Sequence, residues 1–340
     1  LIPGSDIGGD DYVEGNGGND TIYGGIGQDD IIGGSSSLFG LTTPNQRPDG
    51  SDLIYGGNGD LVARNNLGDT STESHARDAE MILGDNGNIY RLVGINGTGN
   101  GKYLTFNYDN YTGTNGLKII PRAAELLDYT PGGLDYTPTA AQAANDIGAA
   151  DEIHGESGDD FIYGMKGNDV LYGEGQDDDI IGGYGNDWIS GGTGQDGVLG
   201  DDGRIYTSRN SDTIGEPLYG IGTVTVNQYI STPGKIQQSY INLSGKLKKT
   251  VNLTPFKLGG DDTDYAQLSY DPQNADDIIY GGWGDDFLHG GDGDDAISGA
   301  EAKEAFYDNP FNPGDILLFS DPIHGRAGEF GAYDEYHPMH

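Results

Sequence analysis

Residues 155–199 read GESGDDFIY GMKGNDVLY GEGQDDDII GGYGNDWIS GGTGQDGVL, five nine-residue units without a gap. Glycine opens each unit, aspartate stands sixth (Asp160, Asp169, Asp178, Asp187, Asp196) and an aliphatic residue eighth (Ile162, Leu171, Ile180, Ile189, Val198). Glycines at the first, second and fourth positions permit positive φ and close backbone approach, so each unit begins as a turn. The last three residues alternate outward, inward, outward, which sends the eighth toward one interior. One such unit buries almost nothing. Stacked units bury a continuous ladder of Ile, Leu and Val, so several must occur together. Two units make a flattened coil of two strands, and coils stack at the ~4.7–4.9 Å strand spacing. The block at 149–203 then forms about three coils, a prism roughly 15 Å long with a thin core.

The register recurs elsewhere. GNGGNDTIY (15–23) and GGIGQDDII (24–32) follow a degenerate DIGGDDYVE, and DDIIY, GGWGDDFLH and GGDGDDAIS run through 276–298. Shorter traces stand at DGSDLIYGGNGD (49–60) and DAEMILGDNG (78–87). The chain divides into roll blocks at 1–34, 149–203 and 274–299, interrupted turns and loops at 35–88, β-rich inserts at 89–148 and 204–273, and a connector at 300–340. The inserts look related: ILGDNGNIYRLVG opens one and VLGDDGRIYTSRN the other, and each carries a TP/GG element, LLDYTPGGLDY or NLTPFKLGGDDTDY. Alternating runs at 102–108, 222–230 and 239–253 read as antiparallel strands or hairpins. NGTGNGK (96–102) reads as a hairpin turn, PRAAELLDY (121–129) as a short helix, and GDILLF (314–319) as one more strand. The lysines of GKLKK (245–249) read as a solvated strand edge. His154 and His289 fall on the outward ninth position, where a surface residue is the default.

The 340 residues carry 55 acidic side chains against 17 basic ones, a formal net charge of -38, with 61 glycines and no cysteine. A nucleic-acid binder needs a basic footprint, so that class is excluded. An anionic membrane surface would also repel the chain, and no apolar run approaches the ~20 residues of a transmembrane helix. Zero cysteines remove disulfide scaffolds, thiolate zinc sites and cysteine nucleophiles. HExxH and GxSxG are absent, so no catalytic residue is assigned. Low hydrophobicity with high charge keeps a chain open unless something cancels the charge, yet 22 Tyr, 9 Phe and 2 Trp are too many for a plain acidic tail. The acids are 43 Asp and 12 Glu. Closely spaced hard oxygens on short arms are what calcium binds.

The pattern GGxGxDxUx, as in GGIGQDDII, GGYGNDWIS and GGWGDDFLH, resembles the calcium-binding nonapeptide of RTX (hemolysin-type) proteins. The resemblance implies an all-β fold: right-handed parallel β-roll blocks, here interrupted by antiparallel hairpin inserts. It implies several calcium ions, on the order of 8–12, sandwiched between successive turns and held by glycine-turn carbonyls and the sixth carboxylate. The residues so marked are Asp11, Gly15, Asn19, Asp20, Gly24, Asp29 and Asp52 in the first part of the chain. In the main block they are Asp151, Gly155, Asp159, Asp160, Gly164, Asn168, Asp169, Gly173, Asp178, Gly182, Asn186, Asp187, Gly191, Asp196 and Asp202. The last block adds Asp277, Gly281, Asp285, Asp286, Gly290, Asp292 and Asp295. The fifth-position residues are expected to contribute carbonyls while their side chains face solvent.

Stacked carboxylates repel one another without metal, so folding is expected to be coupled to calcium. The implied setting is extracellular or the bacterial cell surface, by one-step export, as a fragment of a larger secreted bacterial protein. The leading reading is a structural module: a spacer, surface layer, fibre or adhesin segment. Copies of itself or the rest of a longer chain are partner candidates. The alternative is the calcium-dependent tail of a secreted enzyme or toxin.

Overall fold

The computed structural model describes residues 8–62, 78–91, 94–95, 105–106, 120, 122–129, 146–207, 209–211, 214–215, 218–219, 228–231, 240–241, 249–253 and 275–301. Its centre is a pair of seven-stranded parallel sheets. The first sheet stacks Tyr12–Glu14, Asp30–Ile32, Met81–Leu83, Phe161–Lys166, Asp179–Tyr184, Gly197–Leu199 and Phe287–His289 in that order. The second stacks Thr21–Tyr23, Leu53–Tyr55, Glu152–Ser157, Val170–Gly175, Trp188–Gly194, Ile278–Gly284 and Ala296–Ser298. Successive units alternate between the sheets, so partners lie two units apart: Ile162 faces Ile180, and Leu171 faces Ile189.

The same register crosses every interruption. Ile54 pairs with Ile153, Ile82 with Ile162, Ile189 with Ile279 and Val198 with Leu288. The stretches that look separate in sequence are therefore coils of one roll. A three-coil prism is too short a description: seven coils at the strand spacing span about 30 Å. Between the sheets runs the eighth-position ladder, Ile22, Ile31, Ile54, Ile82, Ile153, Ile162, Leu171, Ile180, Ile189, Val198 and Ile279, all buried.

Parallel sheets need cover on their outer faces, and the inserts supply it for the first sheet. Gly87–Arg91 pairs antiparallel with Arg122–Leu126, and Arg204–Thr207 with Lys249–Asn252. Their Ile89, Ala124, Leu126 and Ile205 pack on Ile32, Leu83, Tyr163, Met165, Ile181 and Leu199 of the sheet. The two inserts also pair with each other: Gly94–Ile95 with Gln228–Ser231, and Thr105–Phe106 with Leu218–Tyr219, both antiparallel.

Residues 122–126 are a strand, not part of a helix. Their helix-forming Ala-Ala-Glu-Leu is overridden because a nine-residue helix is marginal alone, whereas the strand buries Ala123, Ala124 and Leu126. Arg122 also reaches Asp30 at 2.8 Å. Lys249 is likewise not a solvated edge. It is buried, with Nζ 2.8 Å from Asp179 Oδ1. The hairpin turn at 96–102, the rest of GKLKK at 245–248 and GDILLF at 314–319 lie outside the described residues.

On the outer face of the second sheet the ninth positions form an aromatic stack. Ring centroids step from Tyr23 to Tyr55 (4.9 Å), His154 (4.8 Å) and Tyr172 (4.6 Å), and Trp188, from the outward seventh position of its unit, and Tyr280 extend it. His154 is buried here, not exposed, between Glu174 (2.9 Å) and Glu152 (3.0 Å). Burial works to lower its pKa, but the hydrogen bonds to Glu152 and Glu174 prevail and raise it to about 9, so it is an imidazolium at neutral pH.

Candidate metal centre

The turns follow one backbone rule. In each uninterrupted unit whose second residue is described, that residue has positive φ: Asn16, Gly25, Glu156, Met165, Glu174, Gly183, Gly192, Gly282 and Gly291. Even Glu156, Met165 and Glu174 adopt it, at φ of 75°, 75° and 73°, a conformation that costs a non-glycine residue about 1–2 kcal/mol. The second residues of the interrupted units, Gly34, Gly57, Asp85 and Asp201, do not. Positive φ folds the chain tightly into the next strand, and its absence marks where an insert leaves.

Each turn delivers its sixth carboxylate into a row along one edge of the roll. One oxygen of each builds a ladder. The Asp151 N–H donates to Asp169 Oδ1 (2.8 Å), Asp160 to Asp178 (2.9 Å), Asp169 to Asp187 (2.8 Å) and Asp178 to Asp196 (2.9 Å). The rows continue through the interruptions: Asp20 donates to Asp52, Asp52 to Asp151, and Asp187 to Asp277. They reach the ends through Asp11 to Asp29, Asp196 to Asp286 and Asp277 to Asp295.

The other oxygen has no donor. Oδ2 of Asp20, Asp29, Asp52, Asp151, Asp160, Asp169, Asp178, Asp187, Asp196 and Asp277 is buried without a hydrogen-bond partner. It faces the first-position glycine of its own unit. A Cβ on Gly164 would lie 2.4 Å from Asp169 Oδ2 and 2.8 Å from the Gly182 carbonyl oxygen. On Gly182 it would lie 2.3 Å from both Asp187 Oδ2 and the Gly200 carbonyl. Gly15, Gly24, Gly155, Gly173, Gly191, Gly281 and Gly290 face their aspartates in the same way. The glycine therefore keeps open a hollow flanked by a carboxylate oxygen and a carbonyl.

Interrupted units keep the hollow across long excursions. Gly84 meets Asp151 Oδ2, and Gly200 meets Asp277 Oδ2, so the inserts spring from inside a single nonapeptide. Glu80 also belongs to this row and was missed in the sequence. Its amide donates to Asp160 Oδ1 at 2.7 Å, and its Oε2 is buried without a donor. The available signal was its place before Met81-Ile82-Leu83, the seventh to ninth positions of a disguised unit.

The fifth side chains do not simply face solvent. They make a second ladder: Asp177 N–H donates to Asp159 Oδ1, Asn186 to Asn168, Asp276 to Asn186, and Ser51 to Asn19. Asp285 and Asp292 are exposed. Asp202 stands outside the rows, its carboxylate accepting from the hydroxyls of Tyr129 (3.1 Å) and Tyr163, because the third position of that turn faces an insert.

Burial raises the pKa of the row carboxyls: Asp29 and Asp52 to about 6, and Asp160 and Asp169 to about 8. Asp178 is pushed well above its ordinary range by burial, then by Asp160 and Asp196; Asp187 by burial, then by Asp169 and Asp277. Ionised rows need a counter-charge. Orphaned carboxylate oxygens, adjacent carbonyls, a hollow that a Cβ would fill and an all-oxygen donor set fit a hard cation such as calcium. Among the described residues no three acidic or histidine side chains converge, so backbone carbonyls would complete each set.

Residues 7–37, 148–180, 172–204 and 274–300 match the family model of the RTX calcium-binding nonapeptide repeat, in four copies. The matches pass over 49–60 and 78–87, whose strands the register places in the same roll. Comparison with curated proteins and with solved structures gave no match.

Two outcomes are expected. Gly182→Ala should lower the stability of the calcium-loaded chain by about 1–3 kcal/mol through overpacking, whereas Gly9→Ala, with nothing within 4 Å of its Cβ, should not. Denaturant melts at saturating calcium compare the two. The second concerns pH. The row carboxyls have folded-state pKa values above their ordinary 3.8, so the folded calcium-free chain binds more protons than the unfolded one. Its stability should be highest at acid pH and fall as pH rises from about 4 through 6 to 8. Circular dichroism of calcium-stripped protein should show more β structure near pH 5 than near pH 8; the reverse order would contradict the assignment.

Proposed function

We propose that this chain, which carries RTX calcium-binding nonapeptide repeats, is a structural module of a secreted or cell-surface protein, and that its roll closes on calcium. The observation that carries the reading is the pair of rows of buried sixth-position carboxylates, each keeping one oxygen free of protein donors. Asp20, Asp29, Asp52, Asp151, Asp160, Asp169, Asp178, Asp187, Asp196 and Asp277, with Asp11, Asp286 and Asp295 at the ends, would hold the ions beside the first-position glycines. Calcium supplies positive charge between stacked carboxylates and oxygen coordination in place of the missing donors. The protein supplies the spacing: the amide-to-Oδ1 ladder orients each carboxylate, and the glycine keeps its hollow open.

The formal charge of -38 makes metal-free collapse unfavourable, and binding to the folded state alone stabilises it by mass action. Affinities of about 10⁻⁴–10⁻³ M suit extracellular calcium. A seven-coil roll, stiffened by inserts that cover one sheet and pair with each other, supports the role of spacer, surface-layer, fibre or adhesin segment. No helix among the described residues is long and apolar enough to cross a membrane.

Circular dichroism at neutral pH tests the coupling. The β signal should be largely lost in chelator and return at millimolar calcium. An unchanged signal in excess chelator would refute it.

A further inference from the structure

Two of the four interrupted units carry aspartate at the second position, in GDNG (84–87) and GDDG (200–203). Asp85 is fully served: its oxygens accept the Ala149 N–H (3.1 Å) and the Lys166 N–H (2.8 Å). Asp201 is not. Its Oδ2 accepts the Asp292 N–H at 2.5 Å, while its Oδ1 is buried without a donor in a residue only 5% exposed. Beside it stands the hollow at Gly200. A Cβ there would lie 2.0 Å from Asp277 Oδ2, itself buried and without a donor, and 2.6 Å from the Gly290 carbonyl oxygen. Burial, then Asp277, pushes the Asp201 carboxyl up to about 10. This exit turn therefore adds to the unserved Asp277 oxygen a second one, on the residue that directly follows the hollow's glycine.

We propose that the exit turn at 200–203 holds a calcium ion with two carboxylates, Asp201 and Asp277, more tightly than the single-carboxylate positions of the rows. The inference rests on the reading of the rows as calcium sites and adds a residue outside the repeat pattern. Calcium affinity rises with the number of ligand charges, which sets this site apart. Its two carboxylates also come from opposite ends of an insert, one just before the chain leaves the roll and one just after it returns. The ion therefore closes that excursion and holds in place the Arg204–Thr207 and Lys249–Asn252 strands that cover the first sheet. This site fills first as calcium rises, and the insert docks before the remaining positions are occupied.

Calcium titration calorimetry and equilibrium dialysis on the full chain test this, with wild type, Asp201→Asn and the regular-row variant Asp178→Asn. Asp201→Asn keeps an acceptor for the Asp292 amide and loses only the charge. It should weaken the tightest binding step at least tenfold or remove one ion, whereas Asp178→Asn should leave that step intact. Should the asparagine variant fail to fold, Asp201→Gly gives the same readout, because glycine occupies this position in the units of Gly34 and Gly57. Hydrogen exchange at sub-saturating calcium should show Ile205 and Val251 protected in wild type and open in the variant. Titrations of the Asp201 variants that match wild type in tight step and ion count would overturn the proposal while leaving the rows standing. A wild-type chain that binds no calcium would instead remove the reading of the rows on which it rests.

Discussion

A buried carboxylate with one oxygen hydrogen-bonded and the other left bare is the constraint on which the molecule turns. The Oδ1 ladder fixes each sixth aspartate so firmly that Oδ2 can point only at the hollow beside the first glycine. Repeated at every coil, that bare oxygen becomes a line of like charges in a site that water does not reach. An isolated ionised carboxylate there would cost several kcal/mol, far more than one Ile of the central ladder returns. The apolar ladder and the carboxylate rows thus pull in opposite directions, and a cation reconciles them. The first glycine serves both, since its missing side chain lets coils approach and leaves room for an ion.

The roll tolerates its interruptions because the stack is specified by a few positions. Four residues restart a coil after an excursion: Asp52, Glu80, Asp151 and Asp277, each followed by a strand triplet whose middle residue joins the ladder. Everything between the exit and that acid is free to lengthen. Three of the four excursions leave from turns that run from the first sheet to the second, and their residues meet there. Arg47 pairs with Asp128 at 2.7 Å, and Asn86 donates to the same carboxylate. The inserts form a layer over the first sheet, which explains why outward positions such as Tyr163 and Met165 are apolar and fully buried.

The period of nine, the inward eighth residue and the sixth-position aspartates of 155–199 were legible because they are local and repeat without a gap. Continuity across the blocks was not, since a register between Ile82 and Ile162 exists only once the intervening insert has folded away. Glu80 escaped notice because an excursion separates it from the glycines of its own unit, Gly56, Gly57 and Gly59, and because glutamate stands where the other units carry aspartate. Two exposure readings misled for a related reason: His154 lies at an outward position of the repeat and Lys249 in a lysine run of an insert, and neighbouring side chains bury both. The short helix expected over 121–129 gave way to a strand because local propensity is weaker than the apolar surface offered by the first sheet.

The most direct test of the account is where the ions sit. In crystals grown with calcium, or with a lanthanide in its place, anomalous difference maps should show two lines of peaks along the turn edges of the roll. Each should lie roughly 2.3–2.6 Å from a sixth-position Oδ2, beside its first glycine. Hollows without peaks, with ions scattered instead over exposed aspartates such as Asp285 and Asp292, would contradict it.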